Sequence, residues 1–193
     1  MSLDDYFNIK KKEQIKLING SNILFFKLKK KYDYKQIFNS IPWVQPLVTI
    51  YGNTFKPKRQ VSTMGKPYDY NGNVTTEETP IPDLVKDIML EVNKITENDY
   101  NTCIANFYKD GEAYISMHDD GEKSSESISS VSFGATRKFV VQNRYNKEKH
   151  EMNLNNNDII VMSGKYFQRD YKHGIPKQLK EKNPRISLTF RKY

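Results

Sequence analysis

Apolar positions recur at helical spacing in two places before residue 100 and alternate with a period of two after it. Tyr34, Ile37, Phe38 and Ile41 fall on one face of a helix that Asp33 opens. Pro80-Ile-Pro-Asp83 starts a second helix, with Leu84, Ile88, Val92 and Ile95 on one face. Both stripes predict helices that pack on a core. Farther along, the pattern predicts strands over 102–108, 113–117, 128–133, 137–142, 158–162 and 186–190, separated by Asp-Gly, Ser-rich and Asn-rich turns. Asn153 to Asn157 reads as one of these polar turns. Many short strands at this spacing predict a double-sheet jelly roll, so the fold class is mainly β with flanking helices (α+β), in a single domain.

The last strand, Arg185-Ile-Ser-Leu-Thr-Phe-Arg191, divides its chemistry by face. Successive side chains alternate, so Arg185, Ser187, Thr189 and Arg191 share one side and Ile186, Leu188 and Phe190 the other. Standing alone, it reads as an exposed edge strand carrying solvated charges. Only six of the 31 basic residues are Arg, however, and two on one strand face suit bidentate recognition of a carboxylate or phosphate. His118 and Asp120 are two apart and share a face if extended. With a distant His173 they make two imidazoles and one carboxylate, the facial donor set of non-haem Fe(II) oxygenases. His150 lies in a charged run and reads as surface.

Composition narrows the setting. A chain of 193 residues with 37% hydrophobic content is one ordinary domain with enough apolar material for a two-layer core. The purely apolar runs are short, such as Ile23 to Phe26, so neither a secretory leader nor a membrane span is expected. The lone Cys103 reads as a small buried hydrophobe and fits a reducing intracellular compartment, nucleus and cytoplasm fitting equally. The net charge of +8 is uneven. Residues 1–35 carry nine Lys against four acids, and residues 165–193 carry nine Lys or Arg against two. That distribution suits a polyanionic partner, with plain solubility as the alternative reading.

The sequence resembles the AlkB family of Fe(II)- and 2-oxoglutarate-dependent nucleic-acid dealkylases. The stretches that carry the resemblance are Asn106-Phe-Tyr-Lys-Asp-Gly111, His118-Asp-Asp120, Ser130-Val-Ser-Phe-Gly-Ala-Thr-Arg137, Asp158-Ile-Ile-Val-Met162, His173-Gly-Ile-Pro176 and Pro184-Arg-Ile-Ser-Leu-Thr-Phe-Arg191. It runs from about residue 40 to the C-terminus and looks closest to the animal member that repairs duplex DNA. The resemblance implies a double-stranded β-helix, a dioxygenase domain over 33–193, a nucleotide-recognition segment over 43–80 and a catalytic jelly roll over 100–193. Residues 1–32 form a Lys-rich segment, expected to be ordered in part.

The resemblance also implies roles. His118, Asp120 and His173 would bind Fe(II), while Asn106, Tyr108, Arg185, Ser187 and Arg191 would bind 2-oxoglutarate. Arg185 would take its distal carboxylate, and Arg191 would steady the carboxylate near the metal and Asp120 itself. The implied reaction is O2-dependent removal of N-alkyl groups from bases such as 1-methyladenine and 3-methylcytosine in DNA. The same chemistry on RNA is the alternative, with a non-catalytic binding jelly roll behind it.

On the substrate side, the base must leave the duplex stack to be reached. Ile50-Tyr51-Gly52 resembles the finger that fills the gap, and Tyr68-Asp-Tyr-Asn-Gly72 the segment that encloses the flipped base. Tyr70 would stack on the base, with Tyr68 and Asn71 beside it and Glu122 as the pocket acid. Lys56, Lys58, Arg59, Lys177, Lys180 and Lys182 are phosphate candidates. Three positions depart from the relatives: Ser187 replaces Asn, Gly121 replaces a second Asp, and Tyr51 replaces Phe. A monomer without membrane attachment is expected.

Overall fold

The Asp33 side chain caps the first helix, accepting from the Gln36 N–H at 2.8 Å, and α1 (Tyr34–Ser40) turns Ile37 into the core. The longer α2 (Asp83–Thr96) follows Pro82 and buries Val85, Ile88, Met89 and Val92. Leu84 and Ile95 pack partly covered against the same cluster, as the apolar stripe predicts. This computed structural model describes residues 13–50, 52–67, 69–70, 73–74, 78–121 and 126–193. None of its described helices is long and apolar enough to cross a membrane.

Among the described residues, seven antiparallel strands form the larger sheet. They are β1 (Glu13–Lys16), β2 (Asn22–Lys27), β5 (Gln60–Gly65), β8 (Thr102–Tyr108), β10 (Ser127–Gly134), β13 (Asp158–Ser163) and β15 (Arg185–Arg191), in the spatial order β1-β2-β13-β10-β15-β8-β5. A second sheet has the order β12 (Lys149–Leu154), β11 (Arg137–Asn143), β14 (Tyr171–Ile175), β9 (Ile115–His118). Two small hairpins, β3 (Val48–Ile50) with β4 (Asn53–Phe55) and β6 (Asp69–Tyr70) with β7 (Asn73–Val74), stand apart from both sheets, and a short α3 (Phe167–Asp170) precedes β14. Two sheets joined by crossing connections are the jelly roll that the strand spacing predicts.

The core has two parts because the larger sheet is buried on both faces. Cys103, Ala105, Val131, Phe133, Ile186, Leu188 and Phe190 pack in one cluster with α1 and α2. Tyr108, Ile128, Ile160 and Met162 face the other way and meet Phe139, Val141, Leu154, Tyr171 and Ile175 of the smaller sheet. The inner layer is where the polar face of β15 belongs.

The sheet reaches farther upstream than residue 33. Ile23-Leu24-Phe25-Phe26 lies in β2, which pairs with β13 from Ile23↔Met162 to Phe26↔Ile159. Ile23 joins the inner cluster while Leu24 and Phe26 pack on the outer one, so an unbroken apolar run is what a strand covered on both faces requires. Full burial of Ile23 contributes roughly 1.5–3 kcal/mol relative to exposure. β2, β5, β12 and β14 lie outside the strands that the pattern predicts.

Candidate functional site

His118 ends β9, and Asp120 follows it by two residues on extended chain. Their neighbour across the sheet is β14, whose His173 stands opposite His118 in the antiparallel register. One ligand atom from each of the three side chains lies within 4.8 Å of the others. His118 Nε2 is 3.7 Å from Asp120 Oδ1, and His173 Nε2 is 3.4 Å from Asp120 Oδ2. His118 Nδ1 lies 2.8 Å from the Ser116 carbonyl, which makes it the protonated nitrogen and leaves the Nε2 lone pair toward the carboxylate. The Asp120 N–H donates to Gln168 Oε1 at 2.8 Å, and Asp119 between the two ligands pairs with Arg144.

Gly174 allows the close approach of β14 to β9. A Cβ there would lie 2.9 Å from the Ile115 carbonyl oxygen and 3.2 Å from the Met117 nitrogen, and the strand pairing shifts register between His173 and Ile175. The irregularity sits beside the ligand it presents.

The site's electrostatics suit a divalent cation. Burial pushes the Asp120 carboxyl up, but Arg191 at 2.5 Å from Oδ1 and the two imidazoles outweigh it and hold the pKa at about 2. Burial pushes His173 down to about 3, so its ring is neutral, stacked on Phe139 at 5.6 Å. Asp120 Oδ2 and His173 Nδ1 are buried without a hydrogen-bond partner among the described residues. Two imidazoles, that of His173 held neutral by burial, and an ionised carboxylate whose Oδ2 lacks a hydrogen-bond partner among the described residues fit the 2-His-1-carboxylate set for Fe(II).

Beside this cluster the arginine strand is central and not at an edge. β15 lies between β10 and β8, pairing Ser187 with Ser132 and Asn106, and Arg185 with Gly134 and Tyr108. The edge-strand reading is thereby corrected: Arg185 is 1% exposed and Arg191 4%. Arg185 donates through Nη2 to Ser132 Oγ at 2.8 Å, and beside Tyr108 its buried Nε and Nη1 have no hydrogen-bond partner of good geometry among the described residues. Burial pulls its pKa down to about 10, and it stays cationic at neutral pH. Arg137, also fully buried, donates to the carbonyls of Asp110, Ala113 and Pro176, and both guanidiniums sit within 5.5 Å of the Tyr108 ring centre. A buried guanidinium with two unmet donors needs an anion, and a dicarboxylate such as 2-oxoglutarate fits.

Ser187 is buried and shares a 2.8 Å hydrogen bond with Ser130, so two hydroxyls meet across the strands. Ser130, Ser132 and Arg137 stand in a stretch that carries the resemblance without an implied role, and Gln168 stands outside every such stretch; all four contact the candidate site residues or pack beside them. The alternation Ser130-Val-Ser132 already puts two hydroxyls on one strand face, whereas the contact of Gln168 with Asp120 exists only in three dimensions.

Of the substrate-side residues, Tyr51, Tyr68, Asn71 and Glu122 lie outside the described residues. Tyr70 closes β6, opposite Asn73 of β7. Arg59 turns inward to Asn106 Oδ1, and Lys58 pairs with Glu112. Lys177 lies over the Tyr114 ring at 4.9 Å, and Lys182 donates to the Leu179 carbonyl. His150 is half-buried, 3.5 Å from Glu148, and stands in the smaller sheet two strands from His173, with Val141 between them in register.

The profile of the 2OG-Fe(II) oxygenase superfamily matches residues 23–191. The chain belongs to this superfamily. Its cofactors are accordingly Fe(II) and 2-oxoglutarate, and His118, Asp120 and His173 are the residues that fit the metal. Its curated relatives are AlkB homologues. Mus musculus alpha-ketoglutarate-dependent dioxygenase alkB homolog 3 is 28% identical over 81% of this chain and 59% of its own length. The DNA oxidative demethylase ALKBH2 of Arabidopsis thaliana is 27% identical over 95% of this chain and 70% of its own, and that of Homo sapiens 30% over 75% and 60%. The chain thus spans 59–60% of the two animal relatives. In three dimensions it is similar to the solved structure of OsALKBH1, with a TM-score of 0.62 over 89% of this chain and 96% of that one at 19% identity, which shows a shared fold. Both alkB homolog 3 and ALKBH2 stand at similar identity to this chain.

Proposed function

We propose that the domain removes N-alkyl groups oxidatively from nucleic-acid bases, with DNA favoured over RNA. The observation that carries this reading is the His118, Asp120 and His173 cluster tied through Arg191 to the same strand face that buries Arg185, in a chain whose relatives include proteins named DNA oxidative demethylases.

In this reading His118, Asp120 and His173 hold Fe(II), Asn106 and Tyr108 hydrogen-bond 2-oxoglutarate, and Arg185 takes its distal carboxylate. When bound, Fe(II) with 2-oxoglutarate and O2 supplies the oxidising power that turns an N-methyl group into a hydroxymethyl group, which leaves as formaldehyde. The protein's part is placement. Arg191 keeps Asp120 ionised and oriented, burial keeps His173 neutral, and Phe139 and the inner cluster exclude water from the ligands' far sides. The segment over 43–80 carries Tyr51, proposed to fill the gap left in a duplex, and Tyr68, Tyr70 and Asn71, proposed with Glu122 to receive the extruded base. The basic ends of the chain supply the attraction to phosphate. The buried lone cysteine suits a reducing intracellular compartment.

The deciding assay follows succinate and formaldehyde release with matched 1-methyladenine- and 3-methylcytosine-containing single-stranded DNA, duplex DNA and RNA at fixed salt. Turnover on DNA above RNA is the expected result, and the reverse order selects the RNA alternative. Release from none of the three, by Fe(II)-loaded protein that binds 2-oxoglutarate, sinks the nucleic-acid reading.

A further inference from the structure

By charge Arg59 reads as a phosphate contact, yet its guanidinium faces the interior. Nη1 donates to Asn106 Oδ1 at 2.5 Å, and Nε is buried. A guanidinium has only donors, so the atom it meets must be the amide oxygen, which determines which way the Asn106 carboxamide is turned. The two N–H donors of Asn106 Nδ2 are then left for a ligand on the strand face that Asn106 and Tyr108 share with their register partners Ser187 and Arg185. The opposite flip would present a carbonyl oxygen to a carboxylate.

Arg59 is also held in place from behind. It lies four residues past the end of β4 and immediately before β5, and Gln45 Nε2 donates to the carbonyls of Pro57 and Arg59 in the same loop. A bridge between Val44 and Val61 ties the loop's flanks together, and β5 then pairs Val61 with Asn106 itself. A residue of the recognition segment therefore reaches the cosubstrate side of the fold along a braced path.

We infer that Arg59 is a positioning residue for 2-oxoglutarate, which locks the Asn106 carboxamide with Nδ2 turned toward the cosubstrate's carboxylate. The inference rests on the Arg185 pocket being the cosubstrate site. No phosphate of a nucleic acid is needed for this role.

The test is a double-mutant cycle on the full chain loaded with Mn(II) in place of Fe(II), with 2-oxoglutarate affinity read by calorimetry in the absence of nucleic acid. Arg59→Ala should weaken binding about five- to tenfold, the order expected for a hydrogen bond to a charged group. Arg59→Lys keeps a cationic donor and should recover part of that loss. On an Asn106→Ala background, Arg59→Ala should cost less than about twofold more, because its effect passes through the amide. Asn106→Ser replaces Asn106→Ala in the cycle should the latter fail to fold. Wild-type affinity in Arg59→Ala overturns the inference, as do losses that multiply in the double variant. A defect confined to nucleic-acid binding with a reduced salt slope overturns it too, by returning Arg59 to phosphate. If Arg185→Lys and Asn106→Ala both leave affinity unchanged, the cosubstrate reading of the pocket falls and takes the inference with it. If they weaken binding while Arg59→Ala does not, the inference alone fails.

Discussion

Arg191 Nη2 lies 2.5 Å from Asp120 Oδ1, and both side chains are almost wholly buried. The last residue of β15 thus fixes a carboxylate contributed by the segment after β9, which ties the larger sheet to the metal cluster of the smaller one. Removing one member of a buried pair leaves the other uncompensated, at a cost of about 3–5 kcal/mol. Arg191→Met should therefore lower the unfolding free energy of the metal-free protein by about 3 kcal/mol in urea denaturation. With Asp120→Asn added, the double variant should lose much less than the sum of the single losses. Additive losses would show that the pair is not coupled.

The metal-free protein should lose stability on acidification from pH 6.5 downward. His173 titrates near 3 when folded and at its ordinary 6.5 when unfolded, so between these values only the unfolded chain binds the proton. Its contribution is complete above pH 6.5 and is lost as pH falls toward 3. Asp120, depressed from 3.8 to about 2, adds a loss of the same sign below 3.8. Urea midpoints measured between pH 7.5 and 5 should fall, and fall less in His173→Gln; equal slopes in the two proteins would remove His173 as the cause.

Arg185→Lys tests the anion pocket. An ammonium cannot reproduce two parallel N–H bonds to a carboxylate, so the 2-oxoglutarate concentration at half-maximal turnover should rise by roughly tenfold or more. Ser187→Asn, which introduces the amide that the family resemblance leads one to expect there, should be neutral or mildly favourable in the same titration. A large loss in Ser187→Asn would mean that its hydrogen bond with Ser130 is needed.

Gly174→Ala probes the approach of the two ligand strands. Its Cβ would press on the backbone of Ile115 and Met117, which cannot move without shifting β9 and His118. Mn(II) affinity should drop by about an order of magnitude or more with the fold retained, as expected when support for a ligand is lost. Unchanged affinity would show that β9 can yield without disturbing its histidine.

Tyr51→Ala separates duplex from single-strand action. A stacking finger matters only where a flipped base leaves a gap, so the substitution should cost duplex repair about one to two orders of magnitude while sparing single strands. Tyr70→Ala should weaken both. Initial rates on matched methylated oligonucleotides decide between them, and equal losses for Tyr51→Ala on both substrates would rule out the finger.

Much of the catalytic half was legible in the residues themselves. Period-two alternation, and for β13 a short apolar run bounded by polar turns, located β8, β10, β11, β13 and β15 to within a residue or two. The Asp33 cap and the stripes of α1 and α2 were equally local. The motif order brought His118, Asp120 and His173 together on paper, and the shared face of Arg185 and Arg191 followed from alternation alone.

Tertiary structure decided what depends on partners distant in sequence. β2 joined the sheet because an apolar run covered on both faces carries no alternation, and its place beside β13 is set by cross-strand pairing. Whether the arginines were solvated charges or a buried anion site depended on β15 lying between β10 and β8, which no local pattern encodes. Arg59 showed the same limit most sharply. Its charge suggested phosphate, but a side chain's role follows from what it meets, and it meets Asn106 because β5 pairs with β8.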